Sequence, residues 1–358
     1  MTRPRIAING FGRIGRAFAR VAALDADCPF DLVVANDLAK PETLAYLLKY
    51  DSVHGKLTVP VVLEDATLKV GRHSLFLSAE KNPAALPWRA LGVDLVIEAT
   101  GHFVGRSKAA LHLQAGARKV VISAPGDSKD KPDATVVYGL NEASLLPEHD
   151  VISAASCTTT CLAPIAQALH AAFGIRTGTM TTVHAMTGDQ VLLDVAHPKD
   201  TRRGRTASMN IVPTSTGAAK AIGLVLPHLH GKLHGIALRV PVPDVSLCDL
   251  VVVTERACTL DEVNDALKAA ATAFLPGVLR IETDPVVSTD LIGDPTGSVV
   301  DLALTHVQGD HLVKVVAWYD NEWGYANRLY ALASAVALGL APVERAPTPI
   351  AAAAAPAG

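Results

Sequence analysis

Cys157 is the residue of this chain best placed to do chemistry. It lies in the run SAASCTTTC, residues 153–161. Behind it, Val151 and Ile152 read as a strand. Ahead, CLAPIAQALHAAF reads as a helix. A cysteine at such a turn meets the first backbone N–H groups of the helix and the positive end of its dipole. Both favour a thiolate. Further on, TTVHAMTGDQ carries His184, a proton acceptor. A thiolate and an imidazole are the minimum for covalent attack on a carbonyl. The pair alone is weak, because most cysteines are small buried hydrophobes and a lone histidine in an apolar strand is more often a hydrogen-bonded core residue.

The elements that must position this pair begin at the N-terminus. Arg5 to Ile8 read as a strand, Gly10, Gly12 and Gly15 form G-x-G-x-x-G, and an apolar helix follows. The first glycine allows the tight turn, the second lets the backbone approach a pyrophosphate, and the third lets helix and strand pack closely. The helix N-terminus then faces the phosphates. A second strand, DLVVAND, ends at Asp37, close to the spacing expected of a carboxylate on the ribose hydroxyls. A carboxylate there repels a 2′-phosphate, so NAD is expected, with NADP as a weaker alternative.

Strands are expected within 92–101, 118–125, 134–141 and 150–156. Continuous apolar strands alternating with helices indicate a parallel sheet covered on both faces. Ligands lie beyond the carboxyl ends of such strands. Thr100, Gly101, Ser123 and Cys157 fall at such ends, so the cysteine is expected to open onto the cofactor crevice. The second half differs. GIALRVP and CDLVVVTE are long strands, and Thr259 with Glu262 makes a capping box for the helix TLDEVNDALKAAATAF. The reading is α/β: a Rossmann-type NAD domain over 1–156, then an α+β catalytic domain over 157–323 with a largely antiparallel sheet. The Ala/Pro-rich tail 341–358 is expected to be disordered.

The chain has 358 residues, 49% hydrophobic and 19% charged, with net charge −3. That allows one large or two ordinary domains with ample core. It leaves no nucleic-acid footprint. No apolar run reaches membrane-span length and no signal peptide precedes Arg5, so a soluble cytoplasmic protein is expected. Five cysteines, an odd number, argue against a disulfide framework. Cys28, Cys248 and Cys258 read as structural. Cys157 and Cys161 lack further metal ligands nearby, and His228, His230 and His234 in PHLHGKLHG read as a solvated loop. No metal is expected.

The stretches NGFGRIGR, YDSVHGK, SAPG, SCTTTC, TTVHAMTGDQ, IVPTSTGAAKA, LRVPVPDVS and WYDNEWGYANR, in this order, resemble the phosphorylating glyceraldehyde-3-phosphate dehydrogenase family over nearly the whole chain. The resemblance implies a homotetrameric glycolytic enzyme that oxidises glyceraldehyde 3-phosphate with NAD through a thioester, then releases the acyl group to inorganic phosphate. Cys157 would be the nucleophile and His184 the base. Arg13 and Ile14 would contact the pyrophosphate, Asp37 the ribose and Ser123 the nicotinamide side. Asn321 would hold the carboxamide, with Tyr325 near the ring. Thr187 and Arg239 would bind the substrate phosphate, and Ser156, Thr158, Thr216 and Gly217 the attacking phosphate, with Arg205 in the loop lining this region. A last helix, 324–340, would return to the nucleotide domain. The family usually has asparagines where Ala154 and Thr160 stand here, and Ala196 stands where NAD-specific members have proline. Erythrose-4-phosphate dehydrogenase, another acyl acceptor, or an NAD-binding protein without catalysis are the competing readings.

Overall fold

The computed structural model describes residues 3–339 except 199 and 275. The tail 341–358 lies outside the described residues. The chain forms two compact units. One comprises Met1–Val136, Ala143–Ala155 and Leu329–Gly358; the other comprises Val137–Glu142 and Ser156–Arg328.

The first unit is built on a nine-stranded sheet. Arg5–Asn9 lies at its centre, with Leu95–Glu98, Lys119–Ile122, Val151–Ser153 and Ala134–Thr135 on one side. Asp31–Asn36 and His73–Ser78 follow on the other, all parallel. Thr67–Val70 and Val61–Glu64 complete that edge as an antiparallel meander. The central strands are buried nearly throughout, Leu95–Glu98 at every position. This is the pattern of a sheet covered on both faces. The strand expected over 134–141 is only two residues long. Gly139 at φ +91° and the Asn141 side chain, which accepts from the Val137 N–H at 2.8 Å, turn the chain away instead. Turn chemistry here overrides a short apolar run.

A chain of polar side chains runs through this core. Asn36 donates to Asn9, and Asn9 donates to Glu98 Oε2 at 2.6 Å. Trp88 Nε1–H donates to His112 Nδ1 at 3.0 Å, which leaves the His112 proton on Nε2, aimed at Glu98 Oε2 3.0 Å away. The other Glu98 oxygen accepts from the Thr100 N–H at 2.8 Å and from its hydroxyl. Glu98 and His112 are fully buried. Burying polar groups is tolerable only when every partner is present.

The second unit carries a seven-stranded sheet in the order Val212–Ser215, Leu233–Val240, Ile175–Ala185, Ser246–Thr254, Leu312–Tyr319, Ser298–Gln308, Leu279–Glu282. Pairing is antiparallel except between Leu233–Val240 and Ile175–Ala185 and between Leu279–Glu282 and Ser298–Gln308. Ser246–Thr254 alternates buried and half-buried positions strictly, as a strand with one face on a core must. The helix Cys157–Phe173 packs on this sheet. Thr259 and Glu262 form the expected capping box of the helix Leu260–Ala273. His228 belongs to a short 3-10 turn and stacks on His170, while His234 lies within the strand Leu233–Val240. The last helix, Trp323–Leu338, contributes its residues from Leu329 onward to the first unit. There Tyr330 donates to Asp25 and packs against Phe18 and Phe30. No helix among the described residues is long and apolar enough to cross a membrane.

Glu98→Ala strands the donors of Asn9 and His112 in the core and removes the acceptor of the half-buried Thr100. The expected loss of stability is about 3 kcal/mol or more, from roughly 1–3 kcal/mol per orphaned group. It would be read from the urea unfolding midpoint. A loss below about 1 kcal/mol would show the network to be dispensable.

Candidate active site

The nucleophile position is set by a strand-to-helix turn. After Val151–Ser153 the chain passes through Ala155 at φ +56°, a left-handed conformation that alanine adopts at a cost. It then enters the helix at Cys157. The Ser156 hydroxyl accepts from the Thr159 N–H at 3.0 Å and caps the helix. Cys157 is partly exposed, whereas Cys28, Cys161, Cys248 and Cys258 are buried.

Cys157 Sγ lies 3.6 Å from His184 Nε2. His184 sits near the end of the strand Ile175–Ala185, in register with Arg239 on the neighbouring parallel strand. Partners in a ladder share a face, so the guanidinium meets the imidazole: Arg239 Nη1 is 2.8 Å from His184 Nδ1. Below them Tyr319 OH is shared between Thr158 Oγ1 at 2.9 Å and Thr182 Oγ1 at 2.8 Å. The Tyr319 ring meets the His184 ring edge-on at 6.0 Å.

The electrostatics differ from the thiolate expected at a helix N-terminus. Burial pushes the Cys157 thiol up to about 11, although the Arg239 charge and the hydroxyl and N–H of Thr158 pull it down. Burial and then the Arg239 charge drive His184 down to about 4, against the Ala185 carbonyl. Burial thus works against the charged form of both groups. The helix-end contribution has the expected sign, but desolvation is the larger effect.

A relay reaches Asn321. The Ala185 N–H donates to Ser246 Oγ at 3.0 Å, which commits the Ser246 hydroxyl proton to Asn321 Oδ1 at 2.6 Å. The Asn321 amide is thus oriented with its NH₂ left to donate. The preceding Val245 sits at φ +63°, a strained conformation for a β-branched residue. Tyr325 is buried, and that burial raises its pKa, with a smaller contribution from the neighbouring Cys157.

In the first unit the glycine loop has the form a dinucleotide needs. Gly10 has φ +92°, and a Cβ there would fall 2.6 Å from the Thr100 nitrogen. A Cβ on Gly15 would meet the Gly10 carbonyl oxygen at 2.1 Å, whereas one on Gly12 would meet nothing within 4 Å. Gly12 thus leaves open space beside the start of the helix Arg13–Leu24, whose first residues are Arg13 and Ile14. Arg13 grips Asp51 with both guanidinium nitrogens, at 2.9 and 3.2 Å. Asp37 accepts from the Phe11 N–H at 2.8 Å and the Ala39 N–H at 3.0 Å, and each oxygen keeps a further lone pair. The Ser123 N–H donates to the Glu98 carbonyl, just past its strand.

The structure brings Cys157, Thr158, His184 and Arg239 together. Several other expected ligands have local partners. The Thr187 hydroxyl donates to Asp189. Asp189 is also bonded by Arg203, and its carboxylate is held below its usual pKa: burial opposes this, but Thr187 and the charges of Arg203 and Arg239 prevail. Arg205 is exposed and bonded to Asp194 at 2.6 Å. Thr216 Oγ1 accepts from the Ala218 N–H at 3.2 Å, next to Gly217 at the N-cap of the helix Ala218–Val225. Thr160 bonds back to the Ser156 carbonyl at 2.9 Å, and its methyl fills the space a Cβ on Gly297 would need. Sequence reasoning missed Tyr319, Ser246, Asp189, Asp51 and Glu98. Tyr319, Ser246, Asp189 and Asp51 lie within quoted motifs; Glu98 was legible only as an acid in an apolar strand.

Both halves of the chain match models of known protein domains. Residues 4–106 match the family model for the glyceraldehyde 3-phosphate dehydrogenase NAD binding domain, and residues 156–321 match that for the C-terminal domain. The chain is 51% identical to glyceraldehyde-3-phosphate dehydrogenase 2 of Streptomyces arenae over 94% of its own length and 99% of the relative's. It is 50% identical to the glyceraldehyde-3-phosphate dehydrogenase of Geobacillus stearothermophilus over 93% and 98% of the two chains. The Cereibacter sphaeroides enzyme is 49% identical over 94% and 98%. With both domain models matched and half the residues identical over nearly its whole length, the chain belongs to the glyceraldehyde-3-phosphate dehydrogenase family.

Proposed function

We propose that this protein oxidises glyceraldehyde 3-phosphate with NAD and inorganic phosphate, through a thioester on Cys157. The observation that carries the reading is the partly exposed Cys157 thiol 3.6 Å from His184 Nε2, with Arg239 on the far side of the same imidazole. NAD supplies the hydride acceptor. Gly10, Gly12, Gly15 and the N–H groups at Arg13 and Ile14 suit its pyrophosphate, and Asp37 suits its ribose. Ser123, the oriented Asn321 amide and Tyr325 suit the nicotinamide end.

His184 takes the thiol proton as Sγ adds to the aldehyde carbon and returns it to the aldehyde oxygen, which becomes the hydroxyl of a thiohemiacetal. The resulting thiohemiacetal gives its hydroxyl proton to His184 as the carbon is oxidised. Cys157 then holds the acyl group as a thioester. A phosphate oxygen attacks this carbonyl, Sγ leaves, and the acyl phosphate is released. Arg239 and Thr187 would bind the substrate's own phosphate, with Arg205 in the adjoining loop. The Thr158 and Ser156 hydroxyls, with Thr216 and Gly217 at a helix start, would bind the attacking one. Thr160 and Ala154 do not disturb this arrangement, because both are buried and Thr160 satisfies its own hydroxyl.

A homotetramer acting in the cytoplasm completes the reading. Leu192, Leu193, Val195, Met209 and Ile211 are all well exposed within one segment. An apolar cluster of that kind is what a subunit interface buries.

Purified protein should form NADH steadily from glyceraldehyde 3-phosphate and NAD only when inorganic phosphate is present. Fast turnover without phosphate would point to another acyl acceptor, and none at all would overturn the reading. Cys157→Ser should abolish turnover, and His184→Asn should slow it by about 10²–10⁴. Near-normal rates in either variant would remove that residue from the mechanism.

NAD should be preferred to NADP in kcat/KM by a factor on the order of 10², because Asp37 faces the position of a 2′-phosphate. Asp37→Asn should narrow the ratio. A preference for NADP in the unaltered protein would refute the assignment of Asp37.

A further inference from the structure

Three of the five cysteines lie in series through the second unit. Cys157 opens the helix Cys157–Phe173 and is partly exposed. Cys161 follows four residues later, and helix residues so spaced are neighbours, with Cβ atoms about 5–6 Å apart. Cys161 is fully buried. Its Sγ lies 3.9 Å from the Ala317 carbonyl oxygen, 4.0 Å from that of Trp318 and 3.6 Å from Ser298 Oγ. Ala317 is the ladder partner of Cys248 in the strand Ser246–Thr254. Cys248 is also fully buried, and the helix packs on this strand. The Cys161 thiol is its hydrogen-bond partner, and that contact together with burial holds Cys248 well above its usual pKa. The other two cysteines have different partners: Cys28 Sγ bonds to the Phe30 carbonyl, and Cys258 to the Thr254 side chain.

We propose that Cys161 and Cys248 are a resolving pair: when Cys157 is oxidised, they take the oxidation into the core as a disulfide and return Cys157 to a free thiol. Hydrogen peroxide is the oxidant. Cys157 Sγ attacks one peroxide oxygen and becomes a sulfenic acid, with release of water. Cys161 Sγ then displaces that hydroxyl group, which leaves as water with the Cys161 proton, and a Cys157–Cys161 disulfide forms. Cysteines one helical turn apart have Cα atoms about 6 Å apart, near the upper limit for a disulfide, and their Cβ bonds run side by side. Such a bond is strained, and strained bonds exchange readily. Cys248 Sγ attacks Cys161 Sγ. The Cys161–Cys248 bond forms, and Cys157 Sγ leaves and takes up the proton that Cys248 gives up. The sum is two thiols and one peroxide to one disulfide and two waters, with two electrons passed from the buried pair to the oxidant. Thiolate is the attacking form, so a protonated Cys248 makes this last exchange the slow one. The final bond ties helix to strand and closes a long loop, which favours it over a bond within one turn.

The relay needs an accessible thiol at Cys157 and no substrate, so its test reads thiols by mass. Its outcome stands whether or not the protein turns over glyceraldehyde 3-phosphate. The full-length protein is treated with equimolar hydrogen peroxide at neutral pH without reductant. Samples taken over time are quenched with acid, alkylated with N-ethylmaleimide and digested, and fragment spectra locate each label and bond. Wild-type protein should show a Cys157–Cys161 disulfide early, then a Cys161–Cys248 disulfide with an alkylated Cys157. Cys248→Ser should lose this recovery and stop with Cys157 still oxidised. Cys157→Ser should form no Cys161–Cys248 bond, because the point of entry is gone. Wild-type protein that never forms the Cys161–Cys248 bond would overturn the proposal. So would a bond that forms as fast in Cys157→Ser, since peroxide would then reach the buried pair directly. Recovery of the Cys157 thiol in Cys248→Ser would also refute it. If Cys248→Ser does not fold, the wild-type time course and Cys157→Ser decide without it.

Discussion

The ladder register between Ile175–Ala185 and Leu233–Val240 places a permanent cation against the imidazole of His184. The pairing is parallel, in a sheet whose other pairings are mostly antiparallel. Because ladder partners share a face, the register holds the Arg239 side chain on the same side of the sheet as His184. The neighbouring parts are set around that contact. The helix beginning at Cys157 brings the thiol to the opposite side of the ring, and Tyr319 fixes the ring's edge while tying Thr158 to Thr182. A register shift of one residue would turn Arg239 to the other face of the sheet and dissolve the site.

Burial acts against charge at both reacting atoms, although Cys157 is partly exposed. At the thiol desolvation opposes the helix end and the nearby guanidinium, whereas at the imidazole desolvation and the guanidinium act together against protonation. The backbone is strained at the two places that matter here. Ala155 precedes the turn into the nucleophile, and Val245 precedes the serine that orients Asn321. Strain of this kind persists when surrounding bonds over-determine the conformation, and both residues are buried.

The nucleotide-binding unit relies on a different device. Its glycine loop rests above buried polar side chains, with Asn36, Asn9, Glu98, His112 and Trp88 bonded in series. Thr100, whose N–H is held by Glu98, is the residue whose backbone Gly10 approaches too closely for any Cβ. The network thus fixes the floor on which the tight turn is built. Asp37 adds a second tie, accepting from the Phe11 N–H inside the loop.

Local pattern determined much of this protein. Glycine spacing after a strand, an acid at the end of the next strand, a capped helix at Thr259 and a cysteine at a strand-to-helix turn are all short-range features. Each follows from backbone sterics or hydrogen bonding within a few residues, so the sequence carries them openly. The ordered motifs carried the family in the same way. The short turn at 137–141 escaped because apolar side chains there resemble a strand while Gly139 and Asn141 decide the backbone. What only the tertiary structure decided is the partnership of residues far apart in the chain: His184 with Arg239, Thr158 with Tyr319, Ser246 with Asn321, Glu98 with His112. Those depend on sheet register and on burial. Burial also works against the expected thiolate, because the cost of desolvating a charge is set by the whole fold and by no single stretch of sequence.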